Sequence, residues 1–329
     1  MRPTLQFFGM ILCAALAAGQ SLNCDLKEYK PLDGLRAAVH DGVLEFTWRG
    51  ERNEELRAEF LLRGGQPVVH EIAARTSGGK WTVLGRELIP EYQVTSGKRR
   101  LSEQQMAPLR KLGIALTPEV VDREKWNAFW DAPLMVPGAR GTNMDLPRRP
   151  EEIKRAWASY HMDSCAVRTD GARIEVTFPG VSLGIFSGNL RYTVYRGSNF
   201  LRQEVIAKTE EPSVAYKYLA GLKGFGITKG SRVVWQDVAR SWQEYRFGGA
   251  VNRDPVALIA RNRIGIIDTA GGSVGFLPPP HKFFFAREIE TNLGFVYYRK
   301  DSSGSFSVGV RQADREQPYR PFGVSDTEW

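Results

Sequence analysis

The stretch SGNLRYTVYRGSNFLRQEVIAKTEEP, Ser187–Pro212, sets the period of this chain. Leu190, Tyr192 and Val194 alternate with Arg191, Thr193 and Tyr195. Gly197-Ser198-Asn199 then breaks the run. Leu201, Gln203 and Val205 follow, alternating with Arg202, Glu204 and Ile206. A period of two on both sides of a turn is a long β-hairpin. Its charges read as sheet-surface pairs, such as Arg191 with Glu204 where the register sets them opposite. The hairpin is therefore the rim of a site at most.

The same period runs outward in both directions. Upstream, SCAVRTDGARIEVTF turns at Asp170-Gly171, with Ile174, Val176 and Phe178 on one face and Glu175 and Thr177 on the other. In GVLEFTWRG, Leu44, Phe46 and Trp48 oppose Val43, Glu45 and Thr47. ELRAEFLLRGGQPVVHEIAAR reads as two strands joined at Gly64-Gly65, and TSGGKWTVLG adds another, so the region to Thr95 is expected to be an antiparallel meander. Downstream, SVAYKYLAGL, SRVVWQDV, SWQEYRFGG, VALIARNRIGIIDT, KFFFARE, LGFVYYRK and SFSVGVR each read as a strand. GLKGFG reads as a glycine-rich turn.

Helical signals are confined to the middle. Ser102 and Gln105 form a capping-box pattern before Met106, Leu109 and Leu112, Gly113 is placed to end the helix, and Pro108 keeps it short or kinked. A second helix is expected from Thr117-Pro118 through EVVDREKWNAFW, where Trp126 and Trp130 share a face that reads as packing surface. EEIKRAWASY reads as a short helix. DAPLMVPGARGTNMDLPRRP, rich in proline and glycine, is the best internal boundary. The expected organisation is a leader over 1–19, a β meander over 20–140 with a helical insert at 102–131, and an antiparallel β region over 141–329. The two β regions are expected to pack as one supersandwich. The fold class is mainly β, a large antiparallel sandwich or supersandwich.

The first residues, MRPTLQFFGMILCAALAAGQ, have the layout of a secretory signal peptide cleaved after Ala17 or Gly19. Export is expected, secreted or periplasmic, with no transmembrane span after cleavage. Cys13 leaves with the leader. Cys24 and Cys165 then either bridge or stay as separate buried thiols, which only geometry decides. The chain ends in PFGVSDTEW without a closing helix or charged tail, and is expected to be the front part of a longer protein.

The 329 residues carry a formal net charge of +8. Lys98-Arg99-Arg100 and Arg148-Arg149 are the tight basic clusters, and the rest of the excess is dispersed, as on a solvated surface. For an exported chain an acidic glycan or an anionic envelope is a more natural partner than nucleic acid. No C-x-x-C, HExxH or EF-hand spacing points to a metal, and no G-x-S-x-G elbow, phosphate loop or dinucleotide fingerprint points to a cofactor. The adjacent carboxylates Glu151-Glu152 and Glu210-Glu211 say nothing of the cross-substrate geometry that a glycosidase needs.

Two constellations could carry chemistry. In PPPHKFFFAREIETN, His281 starts a strand after three prolines, with Arg287 at the same parity and Glu288 at the other, a grouping suited to general acid/base work. In VVWQDVARSWQEYRFGG, the aromatics Trp235, Trp242 and Tyr245 interleave with Gln236, Asp237 and Glu244. Aromatic platforms cover sugar C–H faces, and amides and carboxylates hold the hydroxyls. Each group has a plain structural reading too, as a strand-edge histidine and as a sheet edge packed on a loop.

With these strands and the small helical insert, the layout of about Asp25–Arg311 resembles the galactose-mutarotase-like supersandwich family. His281-Lys282-Phe283-Phe284 is similar in shape to that family's histidine–aromatic segment, and lies close to Glu288 and Glu290. The segment NFLRQEVIAKTEEPSVAYKY is similar to N-terminal regions of secreted bacterial proteins. The resemblance implies carbohydrate recognition or processing, as an accessory domain of a larger carbohydrate-active protein, a sugar epimerase or a polysaccharide lyase. The competing reading is a non-catalytic structural or adhesion domain that binds protein.

Overall fold

A computed structural model describes residues 22–98, 103–120, 151, 153–211, 214–252, 254–278 and 296–311. Three sheets make up the described chain. The first has six strands, ordered β1 (Asn23–Glu28), β9 (Ser164–Asp170), β10 (Arg173–Leu183), β11 (Phe186–Tyr195), β12 (Leu201–Lys208), with β8 (Ser159–Tyr160) on β10. The second has ten strands. Its order is β16 (Val256–Leu258), β19 (Val296–Lys300), β20 (Ser305–Arg311), β13 (Val214–Gly226), β6 (Thr82–Lys98), β5 (Gln66–Arg75), β4 (Glu55–Arg63), β3 (Val43–Arg49), β2 (Leu35–His40), with β7 (Lys154–Trp157) on β6. The third has four, ordered β15 (Trp242–Arg246), β14 (Arg232–Gln236), β17 (Gly265–Thr269), β18 (Gly272–Phe276). The protein is a mainly β sandwich, as its alternation requires.

The hairpins follow the sequence. β10 and β11 pair with Val176 opposite Tyr192 and Phe178 opposite Leu190, all fully buried. β11 and β12 set Arg191 opposite Glu204. Those two do not form an ion pair, however. Glu204 takes Arg202, and Arg191 reaches toward Glu175 at 4.0 Å. The meander β2–β6 runs in chain order. Its inner face meets the six-stranded sheet through an aromatic cluster, with Phe60 4.5 Å from Tyr192, 5.5 Å from Phe46 and 6.3 Å from Phe178. Edge and tilted contacts of this kind add to the area term of burial.

Four sequence expectations change. EEIKRAWASY is strand, not helix: β7 extends the ladder of β6, with Gln93 opposite Trp157 and Ser96 opposite Lys154. A segment this short has little helical stability of its own, and an open strand edge offers it backbone partners. VALIARNRIGIIDT is two strands in different sheets, β16 and β17, split by a turn at Arg263 with φ 56°. GLKGFG lies inside β13, where Gly224 (φ 110°) sits at a register shift between Lys223 and Phe225. The sheets are also not wholly antiparallel, because β1 runs parallel to β9.

That parallel pair decides the cysteines. Cys24 and Cys165 stand directly opposite, with Cα atoms 4.4 Å apart, and form a disulfide across 141 residues of chain. Of the helical insert, α1 (Glu103–Lys111) forms, and its end is capped by Ile114 N–H to Leu109 O and Gly113 N–H to Arg110 O. Residues 118–120 begin a second helix, where Thr117 Oγ1 accepts the Val120 N–H at 3.3 Å. Trp126, Trp130 and the expected boundary near 141 lie outside the described residues.

Two outcomes are expected. Reducing the Cys24–Cys165 bridge, or replacing both cysteines with serine, lowers stability by about 2–4 kcal/mol, because the closed loop is long. Urea unfolding with and without reductant measures this. Phe60→Ala costs about 3–5 kcal/mol by opening a cavity between the sheets.

Candidate functional site

The four-stranded sheet carries the aromatic–amide group. β14 and β15 pair Gln236 with Trp242, Trp235 with Gln243, Val234 with Glu244 and Val233 with Tyr245. Directly opposed residues share a face, and successive residues alternate. The group therefore divides. Trp235 and Tyr245 face inward and pack on the core. Tyr245 stacks on Tyr298 at 4.6 Å, and Phe247 stacks on Phe306 at 4.1 Å, which seats the small sheet on β19 and β20. Burial pushes the Tyr298 phenol up to about 12. Trp242, Gln236 and Glu244 lie on the outer face, where Trp242 is 65% exposed.

Asp237 serves the turn between the two strands. Its carboxylate accepts the Ser241 N–H at 2.9 Å and the Gln243 amide at 2.8 Å, and these donors hold it below its ordinary range. Gln236 donates its side-chain amide to the Arg240 carbonyl at 3.1 Å. At the other end of the outer face the charges neutralise one another. Arg232 reaches Asp268 at 2.6 Å and Glu244 at 2.5 Å, and Arg246 reaches Glu244 at 2.9 Å. Hydrogen bonds from Arg246 and Arg232 lower the pKa of Glu244 below the usual carboxylate range. What remains open is an indole with a fixed amide opposite it on the strand pair.

His281, Arg287 and Glu288 lie outside the described residues. Among the described residues, no group of three His, Cys, Asp or Glu side chains could hold a metal.

Two further polar constellations were not found by reading the sequence. The first is on the outer face of β3, β4 and β5. Glu45, Glu59 and Glu71 line up across these strands, and like charges directly opposed repel. Arg57 lies among all three, 3.8 Å from Glu45 and 3.2 Å from Glu59, and hydrogen-bonded to Glu71. Glu71 also takes Arg86 at 2.7 Å. His70 adds Glu87 at 2.5 Å. Beside this array is a groove of about 440 Å³ that includes Trp81, but that indole already carries two guanidinium groups, Arg57 at 4.6 Å and Arg75 at 4.4 Å. The signal in the sequence was the recurrence of outward Glu and Arg on consecutive strands, which only the register turns into a network.

The second constellation is around Arg299, which is buried on the outer face of β19. It binds Glu91 at 2.6 Å and Asp301 at 2.7 Å, and its guanidinium lies 5.7 Å from the Trp157 ring. The neighbouring Tyr297 lies across two glycines. A Cβ on Gly221 would sit 2.6 Å from its hydroxyl, and one on Gly309 2.8 Å from its ring. This is why β13 and β20 are bare of side chains there.

No protein-family model matches the chain, and no curated protein matches it.

Acid stability tests the glutamate array. Burial works against ionised Glu71, yet the hydrogen bonds from Arg57 and Arg86 win and lower its pKa. A carboxylate with a depressed folded pKa stabilises the fold above its unfolded value and gives that up as pH falls through the folded one. Glu71→Gln is expected to cost about 1–3 kcal/mol at neutral pH and to flatten the loss of stability below the ordinary glutamate range. Denaturant titrations of both proteins across that range measure it.

Proposed function

We propose that this chain is an exported carbohydrate-binding β-sandwich module, acting as part of a larger carbohydrate-active protein. The observation that carries the reading is Trp242, 65% exposed on β15 with Gln236 directly opposite on β14. An indole held in water keeps apolar area uncovered, and a pyranose C–H face covers it while an adjacent amide meets the hydroxyls. Trp235, Tyr245 and Asp237 take supporting roles: the first two seat the sheet, and Asp237 shapes the turn. The signal-like first residues and the Cys24–Cys165 bridge support export, since such bridges persist in oxidising compartments. The galactose-mutarotase-like resemblance belongs to the same proposal.

A second reading, protein adhesion, draws on the exposed apolar side chains near the same sheet, Val238 at 60% and Ile259 at 46%. Affinity electrophoresis through gels cast with single polysaccharides separates the two. The expected result is retardation by at least one polysaccharide, weakened about tenfold or more in Trp242→Ala, as truncating a binding-hot-spot tryptophan does, and partly kept in Trp242→Phe. Migration of the wild-type chain unchanged in every gel would sink the carbohydrate reading and leave adhesion.

A further inference from the structure

Two arginines adjoin the Trp242 platform without a counter-charge. Arg240 closes the β14–β15 turn with φ 65°, and its carbonyl takes the Gln236 amide at 3.1 Å. Arg261 comes from the other side, donating its backbone N–H to the Gln236 carbonyl at 2.8 Å. Both residues are thus fixed by backbone bonds to the residue that faces Trp242 across the strand pair. Both are exposed, and neither guanidinium has an ion pair or side-chain hydrogen bond among the described residues. Their situation differs from that of Arg232 and Arg246 on the same sheet, which are neutralised by Glu244 and Asp268. Asp237, the carboxylate of the same turn, is already engaged by Ser241 and Gln243. Among the described residues, the end of the sheet that carries Trp242 therefore holds two arginines without an ion pair and one aspartate engaged by its own turn.

We infer that the glycan taken by the Trp242 face is anionic, its carboxylate or sulfate groups held by Arg240 and Arg261 while a sugar ring stacks on the indole. The inference rests on the carbohydrate reading above and narrows it to a substrate class. A guanidinium presents paired N–H donors in a plane that matches a carboxylate or sulfate, and such charge-assisted bonds are about twice as strong as neutral ones. A neutral glycan would leave both cations solvated and gain nothing from them.

The test uses the disulfide-bonded chain in affinity electrophoresis and in salt titrations. The probes are a polyuronate (polygalacturonate), a sulfated glycosaminoglycan (heparin) and a neutral polysaccharide (dextran or xylan). Wild type is expected to bind at least one acidic polymer, with affinity falling as salt rises. The double variant Arg240→Gln/Arg261→Gln is expected to lose about tenfold or more on the acidic polymer. The same net charge removed on the other sheets, in Arg52→Gln/Lys30→Gln, is expected to change little. Binding to polygalacturonate without heparin assigns the carboxylate, and the reverse assigns the sulfate. Neutral polymers bound as tightly as acidic ones, or equal losses in the two double variants, would overturn the inference while leaving carbohydrate binding intact. No binding to any polymer overturns the carbohydrate reading itself.

Discussion

β6 must satisfy backbone hydrogen bonds along 17 residues, and the rest of the fold is arranged around that requirement. Its first half pairs with β5, its second half with β13 on the opposite edge, and β7 fills the remaining edge from Gln93 to Ser96. Unpaired backbone groups in a buried sheet cost about as much as lost hydrogen bonds, so each neighbour is needed. One strand therefore joins the meander that precedes the proline- and glycine-rich stretch to the strands that follow it. The ten-stranded sheet is the result, and the six-stranded sheet closes over it through Phe60 and Tyr192.

The four-stranded sheet depends on this frame at one remove. Tyr298 and Phe306 hold places on β19 and β20, which pair outward from β13. Tyr245 and Phe247 stack on them, so the inner face of the small sheet is spent on packing. That leaves Trp242 outward with its amide neighbour. Packing on one face and exposure on the other is a direct consequence of the strand period, and it explains how three aromatics close in sequence come to differ in burial.

Charge drawn from water elsewhere is held by pairing. Arg57 sits among three glutamates, and Arg299 is held between Glu91 and Asp301. A charge taken from water needs such partners or it would neutralise. Arg240 and Arg261 are exposed instead, and water solvates their charge without a partner.

Alternation and turn residues were enough to place the hairpins at Asp170-Gly171, at Gly197–Asn199 and at Gly64-Gly65, because period and chirality act locally. The aromatic–amide group was legible for the same reason, as residue types concentrated in one short stretch. Its division into a packed and an open face was not, because that depends on what the sheet lies against. Nor was the strand character of Lys154–Trp157, which borrows its hydrogen bonds from β6, or the union of Cys24 with Cys165, which needs β1 to lie parallel to β9. Arg240 and Arg261 are 21 residues apart in the chain, and Gln236 joins them, its side-chain amide donating to the Arg240 carbonyl and its backbone carbonyl accepting from the Arg261 N–H. The sequence by itself determined the local hairpins and their turns, since those follow from side-chain period and backbone dihedrals. The tertiary structure decided which strands pair, which face is dry and which charges are left without partners, because these are set by contacts between residues distant in the chain.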